Sequence, residues 1–64
     1  MEFKNILKEL RIERGLTQKE LADAVHFSLS TINKWENGKK LPGYEALRAL
    51  AIFFKVDGNE ILGL

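Results

Sequence analysis

Apolar residues return along this chain at helical intervals, and polar side chains suited to capping helices stand at the breaks between them. Phe3, Ile6, Leu7 and Leu10 keep the i, i+3, i+4, i+7 spacing of an amphipathic helix, and Gly15 supplies its stop after Arg14. Leu16-Thr17-Gln18-Lys19-Glu20-Leu21 then reads as a complete helix start, with Thr17 and Glu20 as a capping box and Leu16 and Leu21 as the hydrophobic staple around it. This second helix runs from Gln18 to Val25, with Leu21, Ala22 and Val25 inward and Asp23 outward. Only His26 and Phe27 separate it from Ser28, the N-cap of a third helix, so the link is a tight turn between two helices packed at a steep angle. Phe27 and Ile32 are placed as the staple of that third helix, and Asn37-Gly38 as its left-handed stop. Pro42 forbids helix through 39–43. Tyr44 to Phe54 is predicted as a fourth helix, with Leu47, Leu50, Ala51 and Phe54 inward and Gly43 as an unspecialised N-cap. Asp57 and Glu60, inside Val56 and Ile61, repeat the box and staple for a short helix near 58–62. No strand signal is present, and the prediction is an all-α fold of five short helices forming one domain over residues 1–64.

The third helix, 28–37, has two unlike sides. With Ile32 as the inward reference and 100° per residue, Trp35 and Glu36 fall near the buried side, while Ser30, Asn33, Lys34 and Asn37 share the outward one. A row of hydroxyl, amide and ammonium groups matches the donors and acceptors that base edges offer in a DNA major groove. The same row would equally serve as an ordinary solvated surface, so the rest of the chain has to decide.

Composition narrows the field. In 64 residues, about 60% of the unfolded surface is buried on folding, and with no cysteine neither disulfides nor a thiolate zinc site can supplement the core. The N-terminal residues alternate charge with apolar side chains, and the longest apolar run, Ala49 to Phe54, falls far short of the ~20 residues of a membrane span. The expectation is a soluble, cytoplasmic protein with no membrane association. The formal net charge of +1 does not by itself argue for nucleic acid. Its distribution does more: residues 31–43 hold Lys34, Lys39 and Lys40 against Glu36 alone, whereas 44–64 hold Arg48 and Lys55 against Glu45, Asp57 and Glu60.

Arg11 to Ala22 (Arg-Ile-Glu-Arg-Gly-Leu-Thr-Gln-Lys-Glu-Leu-Ala), Ser30 to Gly38 (Ser-Thr-Ile-Asn-Lys-Trp-Glu-Asn-Gly), Leu41-Pro42 and Leu50-Ala51 resemble the phage-repressor and Cro-like helix-turn-helix family, also called XRE-like. The likeness covers nearly the whole chain. Its most specific parts are the Leu-Thr-Gln-x-Glu-Leu-Ala start of the second helix and the Trp-Glu-Asn-Gly end of the third, at the expected separation. The resemblance implies a lambda-repressor-like fold and a sequence-specific DNA-binding regulator, commonly a homodimer on palindromic double-stranded DNA.

Position by position, the resemblance implies that Gln18 holds a backbone phosphate at the N-terminus of the second helix. Unpaired N–H groups and partial positive charge there suit Gln18 and Lys19 to that task. Leu29, Ser30 and Lys34 match positions that reach base edges, flanked by Thr31 and Asn33. Groove chemistry pairs Lys34 with guanine, Asn33 with adenine and Leu29 with a thymine methyl. Asn33 also suits a phosphate, and Leu29 equally suits the edge of the core. Asn37, Gly38, Lys39 and Lys40 match a segment that grips phosphate. Arg11 and Glu36 match an ion pair joining the first and third helices, expected to be partly buried and to fix the tilt of the reading helix. Two departures stand out: the family's turn glycine is replaced by His26, and its glycine before Val56 by Lys55. A lone histidine without cysteine assembles no conventional metal site.

Ile52 and Phe53 are apolar where a solvent face is expected, and with Leu62 and Leu64 they form a candidate dimer patch. They also support a second reading, a protein-interaction module such as an antitoxin or partner-binding regulator in which DNA is secondary. An enzyme is disfavoured: Ser28 or Ser30 near His26 has no third orienting group or Gly-rich oxyanion motif, and no cofactor is implied. A non-specific nucleoid-type binder fits poorly with so low a net charge.

Overall fold

The computed structural model describes all 64 residues and contains five helices: α1 (Phe3–Glu13), α2 (Gln18–Val25), α3 (Leu29–Glu36), α4 (Tyr44–Phe54) and α5 (Gly58–Leu62). α3 lies across both α1 and α2, α4 packs on α2, and α5 closes the bundle against α1 and α4. One cluster forms the core, with Leu7, Leu21, Ile32, Leu50 and Ile61 fully buried around Trp35. Every helix thus contributes at least one side chain to the same apolar interior. Trp35 Nε1 is the one buried side-chain polar atom with no hydrogen-bond partner.

The starts of α2, α3 and α5 follow from their capping residues. Glu20 N–H donates to Thr17 Oγ1 at 3.0 Å and Thr17 N–H returns to Glu20 Oε1 at 2.8 Å, so the box at α2 is complete. Thr31 N–H donates to Ser28 Oγ at 3.1 Å, and Asn59 N–H to Asp57 Oδ1 at 2.7 Å. At α5 the cap is therefore a bond from the second helical residue, not the Glu60 box. α1 begins after Glu2 without a side-chain cap and is held by the burial of Phe3 and Leu7.

All five helices stop in the same way. A residue with positive φ follows the last turn, and the next N–H reaches back five residues: Leu16 to Arg11, Phe27 to Ala22, Lys39 to Lys34, Val56 to Ala51 and Leu64 to Asn59. This is the bond of the Schellman motif, which satisfies carbonyls that the helix leaves unpaired. Glycine supplies the positive φ at 15, 38 and 63, but His26 (φ 63°) and Lys55 (φ 58°) do so at the ends of α2 and α4. The turn between α2 and α3 keeps the family geometry with a residue that has to bear the Cβ strain.

The inward stripe of α4 differs from the expected one. Ala46, Leu50 and Phe54 are buried, one turn apart in a straight line, while Leu47 and Ala51 are only half-buried at its edge. The expected stripe puts Leu47 and Ala51 inward; in α4, which packs on α2, the buried line runs instead through the small Ala46.

Candidate nucleic-acid interface

Position 36 is the residue from which this face is built. Glu36 sits on the inner edge of α3 with its side chain 2% exposed, a cost that only a good partner offsets. Arg11 supplies it from α1. Its Nε donates to Glu36 Oε2 at 2.7 Å and its Nη2 to Oε1 at 3.0 Å, a bidentate fork, while Nη1 donates to the Leu16 carbonyl at 2.8 Å. One guanidinium therefore joins α1, α3 and the link before α2. Its pKa is raised above the ordinary value, chiefly by donating to Glu36, so the guanidinium keeps its charge.

The outer face continues from the same carboxylate. Gln18, half-buried at the first position of α2, donates from Nε2 to Glu36 Oε1 at 3.1 Å. Asn33 Nδ2 donates to Gln18 Oε1 at 3.4 Å, and Asn37 Nδ2 donates to Asn33 Oδ1 at 3.0 Å. The side chain of Gln18 is thus turned toward Glu36 and Asn33 instead of standing free at the helix end, and Asn33 and Asn37 are joined to it. This amide row is what the sequence reading missed: separations of 18, 15 and 4 residues carry no local signal, although an inward Glu36 beside Gln18 was the place to look for one.

The other candidate residues fall into place around this row. Ser30, Asn33, Lys34 and Asn37 are exposed together on the outer side of α3, and Gly38, Lys39 and Lys40 continue that surface beyond its end. Leu29 is 46% exposed, which removes it from the core. The Thr31 hydroxyl lies 2.8 Å from Ser28 Oγ and belongs to the cap of α3. Lys19 is held by Asp23 at 2.8 Å in an exposed i, i+4 pair, whereas Lys34, Lys39 and Lys40 have no ion-pair partner. With Glu36 buried and paired with Arg11, the one acidic residue of 31–43 no longer offsets these three lysines.

The four residues of the candidate dimer patch do not come together. Phe53 is half-buried beneath Arg14, whose guanidinium lies 5.3 Å from its ring centroid and donates to its carbonyl at 3.2 Å. A cation is drawn there by the last carbonyls of α4 and by two ring faces, since Phe54 lies 5.5 Å from the same group. Ile52 is 63% exposed and lines a shallow groove with Tyr44 and Leu47, while Leu62 and Leu64 line a different one with Phe3 and Trp35.

The sequence pattern of the helix-turn-helix family matches residues 7–61. The chain belongs to the helix-turn-helix family. In this architecture the second helix of the pair enters the major groove while the first crosses the backbone, and α3 holds that second place here. The chain is similar to the "HTH-type transcriptional activator BcrR" of Enterococcus faecalis, with 42% identity over 62 residues that cover 97% of this chain and 30% of that protein. It is 32% identical over 60 residues to the "Cryptic phage CTXphi transcriptional repressor RstR" of Vibrio cholerae, covering 94% of this chain and 54% of that one. A solved transcriptional regulator from Listeria innocua superimposes with a TM-score of 0.91 at 27% identity, over 98% of this chain and 59% of that chain. The helix-turn-helix domain described here thus spans about a third to three fifths of these relatives. No helix in it is long and apolar enough to cross a membrane.

Proposed function

We propose that this chain binds double-stranded DNA sequence-specifically and regulates transcription, with α3 in the major groove. The observation that carries the reading is a largely buried Arg11–Glu36 fork that clamps α3 while Ser30, Asn33 and Lys34 stand exposed, with the unpaired Lys39 and Lys40 beside them. Lys34, Ser30 and Leu29 read base edges, with Asn33 beside them and Thr31 contributing its methyl rather than its engaged hydroxyl. Gln18, Lys19, Asn37, Gly38, Lys39 and Lys40 hold phosphates, Lys19 after giving up an exposed pair worth little. Two copies bind an inverted repeat, with the open Ile52–Tyr44 face available for contact between them, and the protein works in the cytoplasm. Relatives named as an activator and as a repressor support regulation of either sign.

Selection of bound duplexes from a random pool, at stated salt, tests the reading. The expected result is an enriched half-site of a few base pairs, arranged as an inverted repeat; a pool that stays random overturns it.

A further inference from the structure

The amide row has a direction, and the direction is imposed from inside the protein. A carboxylate only accepts hydrogen bonds, so the group that Gln18 turns toward Glu36 is its NH2. The Gln18 carbonyl then faces Asn33, which has to answer with its own NH2 across 3.4 Å. Asn33 Oδ1 is left facing Asn37, whose NH2 donates to it at 3.0 Å. Each amide along the row is therefore oriented by the one before it, back to a charge that Arg11 holds in place on its far side. Without Glu36, an amide row of this kind reads equally well in either direction.

We infer that Glu36 and Gln18 are positioning residues for base choice, setting which way Asn33 and Asn37 present donor and acceptor before any DNA arrives. Its consequence for base choice rests on the DNA-binding reading above. Asn33 keeps one free N–H on the side toward α2 and one free carbonyl lone pair on the side toward Asn37. Adenine is recognised by one amide donor to N7 and one amide acceptor from N6, so an amide held in one orientation favours adenine in one strand at the facing base pair. A freely turning amide loses that preference.

The first test uses the full chain without DNA, labelled with 15N, and follows the side-chain NH2 resonances of Asn33 and Asn37. Glu36→Gln gives Gln18 a donor to face, so the row reverses and both resonances are expected to move. The double variant Gln18→Glu with Glu36→Gln restores an acceptor-only group next to Asn33, and the two resonances are expected to return toward their wild-type positions. A purely structural role for Glu36 predicts no such return. Should the position-36 variants fail to fold, Gln18→Ala cuts the row at a half-buried surface position, and unmoved Asn33 and Asn37 resonances there overturn the inference.

The second test uses duplexes from the selection. Asn33→Ala is expected to lower discrimination at one base pair by about tenfold, the scale of a good bidentate match. Gln18→Ala is expected to reduce discrimination at that same pair several-fold, on top of a loss shared by all duplexes. A shared loss alone overturns the effect on base choice. Wild-type protein that prefers no duplex counts against the DNA-reading function instead, and the amide resonances still decide whether the row is oriented.

Discussion

Arg11 meets Glu36 through two nearly parallel N–H···O contacts and spends its remaining nitrogen on the Leu16 carbonyl, so no other side chain can replace it in kind. Glu36→Ala strands a guanidinium whose side chain is 12% exposed and is expected to cost about 3–5 kcal/mol, enough to unfold much of so small a domain. Urea denaturation followed by Trp35 fluorescence measures it, and a loss under about 1 kcal/mol would show that the fork contributes little. Because the folded pKa of Arg11 is raised, the stability it supplies is fully present below the ordinary guanidinium pKa and is lost only as pH rises through the higher folded value. Wild type thus keeps this contribution throughout the alkaline range, whereas in Arg11→Lys the deficit widens as pH climbs past about 10, near the lysine pKa. On the outer face, Lys34→Ala is expected to change which bases are tolerated. Lys40→Ala lowers affinity for all duplexes alike and reduces the salt slope by about one. Competition binding over a duplex panel at several salt concentrations separates the two, and uniform effects from both would remove the division between reading and anchoring residues.

Side-chain caps start α2, α3 and α5 and positive-φ turns stop all five helices, and the legibility of the two devices differed. The Thr17 and Glu20 box was readable because both partners lie within four residues, and α2 starts where it says; Thr17→Ala is expected to cost about 1 kcal/mol in thermal or chemical unfolding. The stops were readable where glycine marks them, and hidden in part at His26 and Lys55, where the sequence has side chains but the backbone bends the same way. Both sites bear left-handed strain of about 1–2 kcal/mol, only partly offset by the greater freedom that glycine loses on folding. His26→Gly and Lys55→Gly are each expected to stabilise the protein by about 0.5–1 kcal/mol, read as a higher denaturation midpoint at unchanged slope. A lower midpoint in His26→Gly would mean that the imidazole contributes more than its backbone costs. The α4 stripe and the Gln18–Asn33 contact were not legible for a different reason. Both depend on how whole helices settle against one another: Leu47, read as inward, keeps helical spacing with Leu50 and Phe54, but so does Ala46, which is the residue buried.

At the scale of the whole molecule, a net charge of +1 gives little long-range attraction, so binding has to come from the local excess around the end of α3. With Lys39, Lys40 and Lys19 holding phosphates as proposed, about three would be neutralised per copy, and two copies are expected to show a log–log salt slope of roughly −5. Principal extents of 26 × 23 × 20 Å are smaller than the ~34 Å that separates equivalent groove positions one turn apart. Two copies placed on adjacent turns would therefore stand side by side without overlap, and any contact between them would be small. With α4 facing the second copy, as proposed, Ile52 and Tyr44, both widely exposed on it, would be the apolar groups that meet. So small a contact is expected to leave the free chain monomeric at micromolar concentration and to show itself on DNA as cooperativity. Inserting about five base pairs between the half-sites turns the second one to the opposite face of the duplex and should abolish the cooperativity, while about ten base pairs return it to the same face but beyond reach. Quantitative gel-shift titrations on these duplexes, repeated with Ile52→Glu, distinguish a protein contact from independent binding. Cooperativity that survives both the half-turn insertion and the charge on α4 would place the coupling in the DNA itself, and two copies would then need no contact with each other.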